Sequence, residues 1–221
     1  MNKLIYGNHH QIVTFNNLKL NYWSIPKCAS TTIKYALHKA DCDKKIFEQQ
    51  EKQFTTNDDI HSWVHAINIC EKIEPKNALN NGYINFMIIR NPIERFLSLY
   101  KDFFIKRKNN NVGGSSEFKD AVCTLRQEPS VKGLLNLLNR FSDNKACDVH
   151  FRSQTWFYLD STIKLIRLEN MKTAIQAFNS TIVLDNLHLH KTSKNISLSE
   201  NEINQLNLIF KQDYQLYEQA N

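Results

Sequence analysis

An alternating apolar run from Leu18 to Ile25 reads as a strand, and Thr32 to Ala40 reads as a helix start. The stretch Pro26-Lys27-Cys28-Ala29-Ser30-Thr31-Thr32 therefore puts a lysine and a hydroxyl cluster where a strand hands over to a helix. The first backbone N–H groups of a helix have no internal partner, and the helix dipole favours negative charge beside them. With the Lys27 ammonium and the hydroxyls of Ser30, Thr31 and Thr32 added, the junction suits a phosphate or a sulfate. The bland alternative is a helix start at which one of these hydroxyls merely serves as the N-cap.

A second junction repeats the arrangement. Tyr83 to Ile89 is nearly continuous in apolar character, as a buried parallel strand is. Arg90 follows, then Asn91 as an N-cap and Pro92 as a first helical residue. Ile93, Phe96, Leu97 and Tyr100 recur at helical spacing, which puts Ser98 about two turns into this helix. The guanidinium of Arg90 is a permanently charged fork of donors, suited to a phosphate. The competing reading has Arg90 and Arg95 in ion pairs with Glu94 or Asp102 on a solvated helix.

The first junction is not a Walker A loop. It has no glycine, and Lys27 lies three residues before Ser30 rather than next to a hydroxyl residue. Its order, Pro-Lys-x-x-[Ser/Thr]-[Ser/Thr], resembles instead the 5′-phosphosulfate loop of sulfotransferases that use 3′-phosphoadenosine 5′-phosphosulfate (PAPS). Arg90 to Tyr100 resembles the 3′-phosphate segment of the same superfamily, Arg-[Asp/Asn]-Pro-x-x-Arg-x-x-Ser-x-Tyr. His150-Phe151-Arg152-Ser153-Gln154 resembles the His-[Trp/Phe]-Arg-Pro-Gln segment of the carbohydrate-type enzymes (sulfotransferase family 2), with Ser153 where proline is usual. Ile166 to Asn170 resembles a later strand with its glutamate, Glu169. Asp213-Tyr214-Gln215-Leu216-Tyr217 resembles the family's Asp-Tyr-x-x-[Tyr/Phe] ending.

The resemblance implies a P-loop-NTPase-like sulfotransferase fold and transfer of a sulfuryl group from PAPS to a hydroxyl of a carbohydrate or glycolipid. It implies that Lys27 neutralises charge on the bridging oxygen, that Ser30, Thr31 and Thr32 bind the 5′-phosphate, and that Arg90 and Ser98 bind the 3′-phosphate. No metal is needed, because Lys27 supplies the positive charge. The acceptor hydroxyl must lose a proton, and a histidine or a glutamate is the expected base. His61 and His65 lie between the two anion segments, where some glycan sulfotransferases carry theirs. His65 is the first choice, ahead of His61 and His150, and His150 is expected to bind the acceptor.

The chain has 221 residues, enough for one domain with a substantial core, so 1–221 is expected to be a single sulfotransferase domain. Strands alternating with helices indicate an α/β fold with a central parallel sheet flanked by helices, its ligands beyond the carboxyl ends of the strands. Gln11 to Phe15 and Leu18 to Ile25 pair as a hairpin through Asn16-Asn17. Lys44 to Asp59 is polar and poorly periodic, and Trp63 to Ile73 reads as helix. Pro92 to Lys106, Glu117 to Leu125, Val131 to Phe141 and Met171 to Phe178 read as helices, and Thr162 to Leu168 as a strand. Arg107 to Ser116 is the clearest loop, a lid over the site or an ordinary surface loop. Ser199 and Glu202 form a capping box that starts the last helix.

A net charge of +6 suits a nucleotide donor and an anionic glycan as well as it suits nucleic acid. No stretch interleaves basic and aromatic residues on one face, so nucleic acid is not the expected partner. A nucleotide or small-molecule kinase remains an alternative, but the Walker lysine and the magnesium carboxylates it needs are not visible. A non-enzymatic basic nucleic-acid-binding module is the third reading. The five cysteines include no C-x-x-C pair, which argues against zinc and for reduced thiols. Nothing approaches the roughly 20 consecutive apolar residues of a membrane span. Met1 to His10 lacks the apolar core of a signal peptide. Eukaryotic enzymes of the family it resembles are usually Golgi proteins with a membrane anchor, so the resemblance implies a bare bacterial catalytic domain in the cytoplasm, with at most peripheral membrane contact; a trimmed piece of a longer protein is the competing reading.

Overall fold

Two short hairpin strands, a two-residue edge strand and two crossover strands build one five-stranded sheet in the computed structural model, which describes residues 11–53, 56, 62–64, 71–106, 111–142, 146–184 and 196–221. In chain order the elements begin with β1 (Gln11–Phe15), β2 (Leu20–Ser24), α1 (Ser30–Asp41), α2 (Lys44–Glu51), β3 (Glu71–Lys72), α3 (Pro75–Asn80) and β4 (Ile84–Ile89). They continue with α4 (Pro92–Tyr100), a π-helical turn (Lys101–Lys106), α5 (Ser116–Gln127), α6 (Val131–Phe141), β5 (Lys164–Arg167), α7 (Met171–Phe178), α8 (Glu200–Ile209) and α9 (Lys211–Gln219). These elements fall into two units that interleave along the sequence. One comprises Met1–Ile89, Leu159–Lys191 and Asn221, and the other Arg90–Tyr158 and Thr192–Ala220.

The first unit holds the sheet, in the order β3-β1-β2-β4-β5. Strands β2, β4 and β5 run parallel, with Tyr22 opposite Phe86 and Ile89 opposite Arg167. Strand β1 runs antiparallel to both β2 and β3. The sheet is therefore mixed rather than wholly parallel. The cause is the β1–β2 turn, which is too short for the long crossover that a parallel pair requires. Alternation gives the sheet two different faces. On one, Tyr22 stacks on Phe86, and Phe86 meets Phe178 of α7. On the other, buried Asn21 donates to the Ala78 carbonyl of α3 at 2.9 Å, and Trp23 Nε1 donates to Asn85 Oδ1 at 2.9 Å. These buried amides are satisfied by one another and by the end of α3, which fixes where that helix sits.

Two local expectations need correction. Lys44–Glu51 is a helix, started by Asp43, whose carboxylate accepts from the N–H groups of Lys45 and Ile46. Only Phe47 of this helix is buried, packed edge-on against Tyr35 of α1, so no apolar period announces it. Within Trp63 to Ile73, Glu71–Lys72 is a strand that pairs with Thr14 and Val13, and residues 65–70 lie outside the described residues.

The second unit is helical. Helix α6 buries Leu134, Leu135, Leu137, Leu138 and Phe141 along one stripe, the spacing its sequence displays. Its core joins Phe96, Phe104, Phe118, Phe151 and Leu206 from five other elements. Phe118 meets the Phe151 ring edge-on at 5.1 Å. The helix expected from Pro92 to Lys106 is α-helical to Tyr100 and then widens into the π turn, where the Lys101 N–H is shared by the carbonyls of Leu97 and Ser98. The expected final helix starts at the Ser199–Glu202 capping box but divides at Phe210 into α8 and α9. Among the described residues, no helix is long and apolar enough to cross a membrane.

Candidate active site

In the first unit, β2 ends at Ser24 and α1 begins at Ser30. The link between them takes left-handed backbone twice, at Lys27 (φ 69°) and Ala29 (φ 57°). For a residue with a Cβ this costs about 1–2 kcal/mol each. Phosphate loops usually place glycine at such positions; here the strain is retained with side chains present. Right- and left-handed residues in alternation, or a tight turn, can curl a chain so that its N–H groups line a concave anion nest; here the Cys28 N–H closes the turn on the Ile25 carbonyl at 3.3 Å. Ala29 is the N-cap of α1, and no side chain caps the helix. The hydroxyls of Ser30, Thr31 and Thr32 thus occupy the first helical turn rather than the cap. The reading in which one of them is an ordinary N-cap is overturned. Lys27 and Ser30 are half-buried, Thr31 and Thr32 buried, and Cys28 is wholly buried as a small apolar residue.

In the second unit, Arg90 opens the chain into α4. Asn91 caps the helix as expected, accepting from Ile93 N–H at 3.0 Å and Glu94 N–H at 3.3 Å. The Nε of Arg90 sits 3.3 Å from Glu94 Oε2, so the ion pair that the sequence left open does form. It engages one of the five guanidinium donors. Arg95 behaves differently. It is buried, donates to the His150 carbonyl at 3.3 Å, and its charge acts on the Asp213 carboxylate. Ser98 lies half-buried on the same helix.

The main chain of Arg90 is gripped from a distance. Gln154, wholly buried, accepts from the Arg90 N–H at 2.9 Å and donates to the Arg90 carbonyl at 2.8 Å. Asp213 in turn accepts from the N–H groups of Gln154 at 2.8 Å and Thr155 at 2.9 Å. Burial pushes the Asp213 carboxyl up; the Arg95 charge and these N–H donors act the other way.

His150 is half-exposed, and its Nδ1 lies 2.6 Å from Asp148 Oδ1. Asp148 also accepts from the N–H groups of His150 and Gly113. Burial alone would raise the Asp148 carboxyl, but the hydrogen bond and charge of His150, with both N–H donors, bring it down to about 2. The Nδ1 of His150 is thus directed at a carboxylate and the ring edge carrying Nε2 is turned away from it. His61 and His65 lie outside the described residues. Glu169 is exposed just beyond β5. Among the described residues no group of three or more His, Cys, Asp and Glu side chains gathers to hold a metal ion.

A family model described as Sulfotransferase family matches residues 10–188. The chain belongs to the sulfotransferase family. No curated protein and no solved structure matches it. As a sulfotransferase it transfers a sulfuryl group from a nucleotide donor to an acceptor. The matched span contains both anion junctions, the His150–Gln154 segment and Glu169, and it stops short of Asp213.

Three residues of this sulfotransferase acquire roles that the sequence did not assign. Asp148 holds His150 from two positions upstream, a spacing visible in the sequence but without meaning until the intervening turn is known. Gln154 and Asp213 both fall in segments that resemble the family, yet nothing in one dimension links them to Arg90.

Proposed function

We propose that this sulfotransferase takes its sulfuryl group from PAPS and transfers it to a hydroxyl of a carbohydrate or glycolipid. The observation that carries the donor assignment is that the two anion-suited junctions follow β2 and β4, which are neighbouring parallel strands. A donor with phosphates at both its 3′ and 5′ positions needs two such junctions, whereas a donor phosphorylated at one end needs one. Lys27, Ser30, Thr31 and Thr32 take the 5′-phosphosulfate, and Arg90 with Ser98 takes the 3′-phosphate.

The acceptor oxygen attacks sulfur in line with the bond to the 5′-phosphate. A new S–O bond forms as that bond breaks, and the acceptor proton passes to the base, His65. The electron pair of the broken bond goes to the 5′-phosphate oxygen of the departing adenosine 3′,5′-bisphosphate. Charge therefore grows on that oxygen in the transition state, where the Lys27 ammonium and the first turn of α1 stabilise it without rearrangement. His150, held by Asp148, orients the acceptor.

The test is incubation with radiolabelled PAPS and a panel of glycans, glycolipids, phenols and amines. Label in a glycan or glycolipid hydroxyl supports the reading. Label only in phenols or amines would overturn the acceptor class, and no transfer from PAPS to any acceptor would overturn the donor.

A further inference from the structure

Arg90 is the residue at which β4 runs out of partners. The last ladder pair of β4 with β5 is Ile89 opposite Arg167. Beyond it, the N–H and carbonyl of Arg90 are both taken by one side chain, that of Gln154, 64 positions later in the sequence. The amide thus completes for one more residue what a neighbouring strand would have done. Buried backbone groups must be paired, but pairing by two separate groups or by water would satisfy them equally well. A single rigid amide does more, because it ties together the two peptide units that flank the Arg90 Cα, from which the long side chain departs.

The chemistry suits glutamine. A primary amide offers an acceptor to the N–H and a donor to the carbonyl at once, whatever the pH; an ionised carboxylate accepts on both oxygens and donates on neither. The clamp is itself anchored. Both oxygens of buried Asp213 are used, on the N–H of Gln154 and on that of Thr155. A buried carboxylate is a costly way to hold a turn that apolar packing could hold. The arrangement gains its meaning from what stands at its far end, the Arg90 guanidinium.

We propose that Gln154 is the positioning residue for Arg90 in recognising the donor's 3′-phosphate, with Asp213 holding Gln154 in register. This rests on the assignment of Arg90 to that phosphate. A long arginine launched from a loose strand end must be immobilised when the ligand binds, whereas one launched from a fixed peptide binds with that ordering already done. The clamp therefore sets how strongly a 3′-phosphorylated nucleotide is preferred over one without it, and leaves the 5′ end untouched.

The test uses the full chain, as wild type, Gln154→Glu and Gln154→Met, titrated by calorimetry with adenosine 3′,5′-bisphosphate and adenosine 5′-monophosphate. The wild type should prefer the bisphosphate by roughly tenfold or more. Both variants should lose most of that preference while their affinity for the monophosphate is unchanged. Gln154→Glu should recover part of it as the pH is lowered, since a protonated carboxyl again offers one acceptor and one donor; Gln154→Met should recover none. A full wild-type preference in both variants would overturn the proposal. So would an equal loss of both nucleotides, which would make Gln154 a residue of the fold alone. A wild type with no preference would overturn the assignment of Arg90 itself, and the clamp's role with it.

Discussion

Gly113 donates its N–H to Asp148 at 2.7 Å, on the same carboxylate that holds His150. A Cβ at Gly113 would lie 2.9 Å from that carboxylate oxygen, so the glycine is what lets the backbone approach. The loop, the carboxylate and the histidine are thus one unit, and its strength should be readable in pH. Asp148 titrates at about 2 when folded, below its ordinary value of 3.8. A depressed folded value contributes stability that is present above the unfolded value and lost as pH falls through the folded one. Asp148 should therefore stabilise the fold by about 2 kcal/mol above pH 4, an advantage that fades between about pH 4 and 2. Denaturant midpoints of the wild type and Asp148→Asn should converge over that interval. Parallel pH curves for the two proteins would show that the pair stores nothing.

Lys27 and Arg90 should divide binding from rate. In the proposed reaction the Lys27 charge meets an oxygen that becomes charged only in the transition state, so its loss should act on turnover. Lys27→Gly is the clean variant, because glycine also relieves the left-handed backbone at φ 69°. It should fold at least as stably as the wild type and lose about 10²–10³-fold in turnover, with a smaller loss in donor affinity. Arg90→Ala should instead weaken donor binding roughly tenfold or more, since the 3′-phosphate does not react. Steady-state constants for both variants decide it. Wild-type turnover for Lys27→Gly at saturating donor would remove Lys27 from the chemistry.

The strand-to-helix junctions, the hairpin and helices such as α6 were legible because their signals are local: alternation, a hydroxyl cluster, Asn91-Pro92, a leucine stripe. The left-handed turn at Ala29 was not, because that conformation is usually marked by glycine and here it is imposed on alanine. Helix α2 was hidden because Phe47 alone faces a core. The division at Phe210 carries no proline or glycine to mark it. The clamp on Arg90 was the least legible feature. Each of its three members is an ordinary polar residue in one dimension, and their relation exists only once α9 and the turn at Gln154 are packed together.

The base should emerge from single replacements of His61, His65 and His150 by alanine, with His65 the expected one. A histidine is chosen because its ordinary pKa, near 6.5, lies closest to the working pH. The right variant should lose about 10²-fold or more in turnover, keep its affinity for adenosine 3′,5′-bisphosphate, and lose the acidic limb of its pH–rate profile. His150→Ala should instead raise the acceptor KM if His150 orients the acceptor as proposed. Near-normal rates and profiles for all three would move the role to a carboxylate, with Glu169 the first to replace.

The two anion-suited junctions are proposed to serve one nucleotide phosphorylated at both ends. Calorimetric titration of the wild type with adenosine 3′,5′-bisphosphate and with adenosine 5′-monophosphate tests it most directly. A charge-assisted contact to the 3′-phosphate predicts at least roughly tenfold tighter binding of the bisphosphate. Equal affinities for the two nucleotides would contradict it.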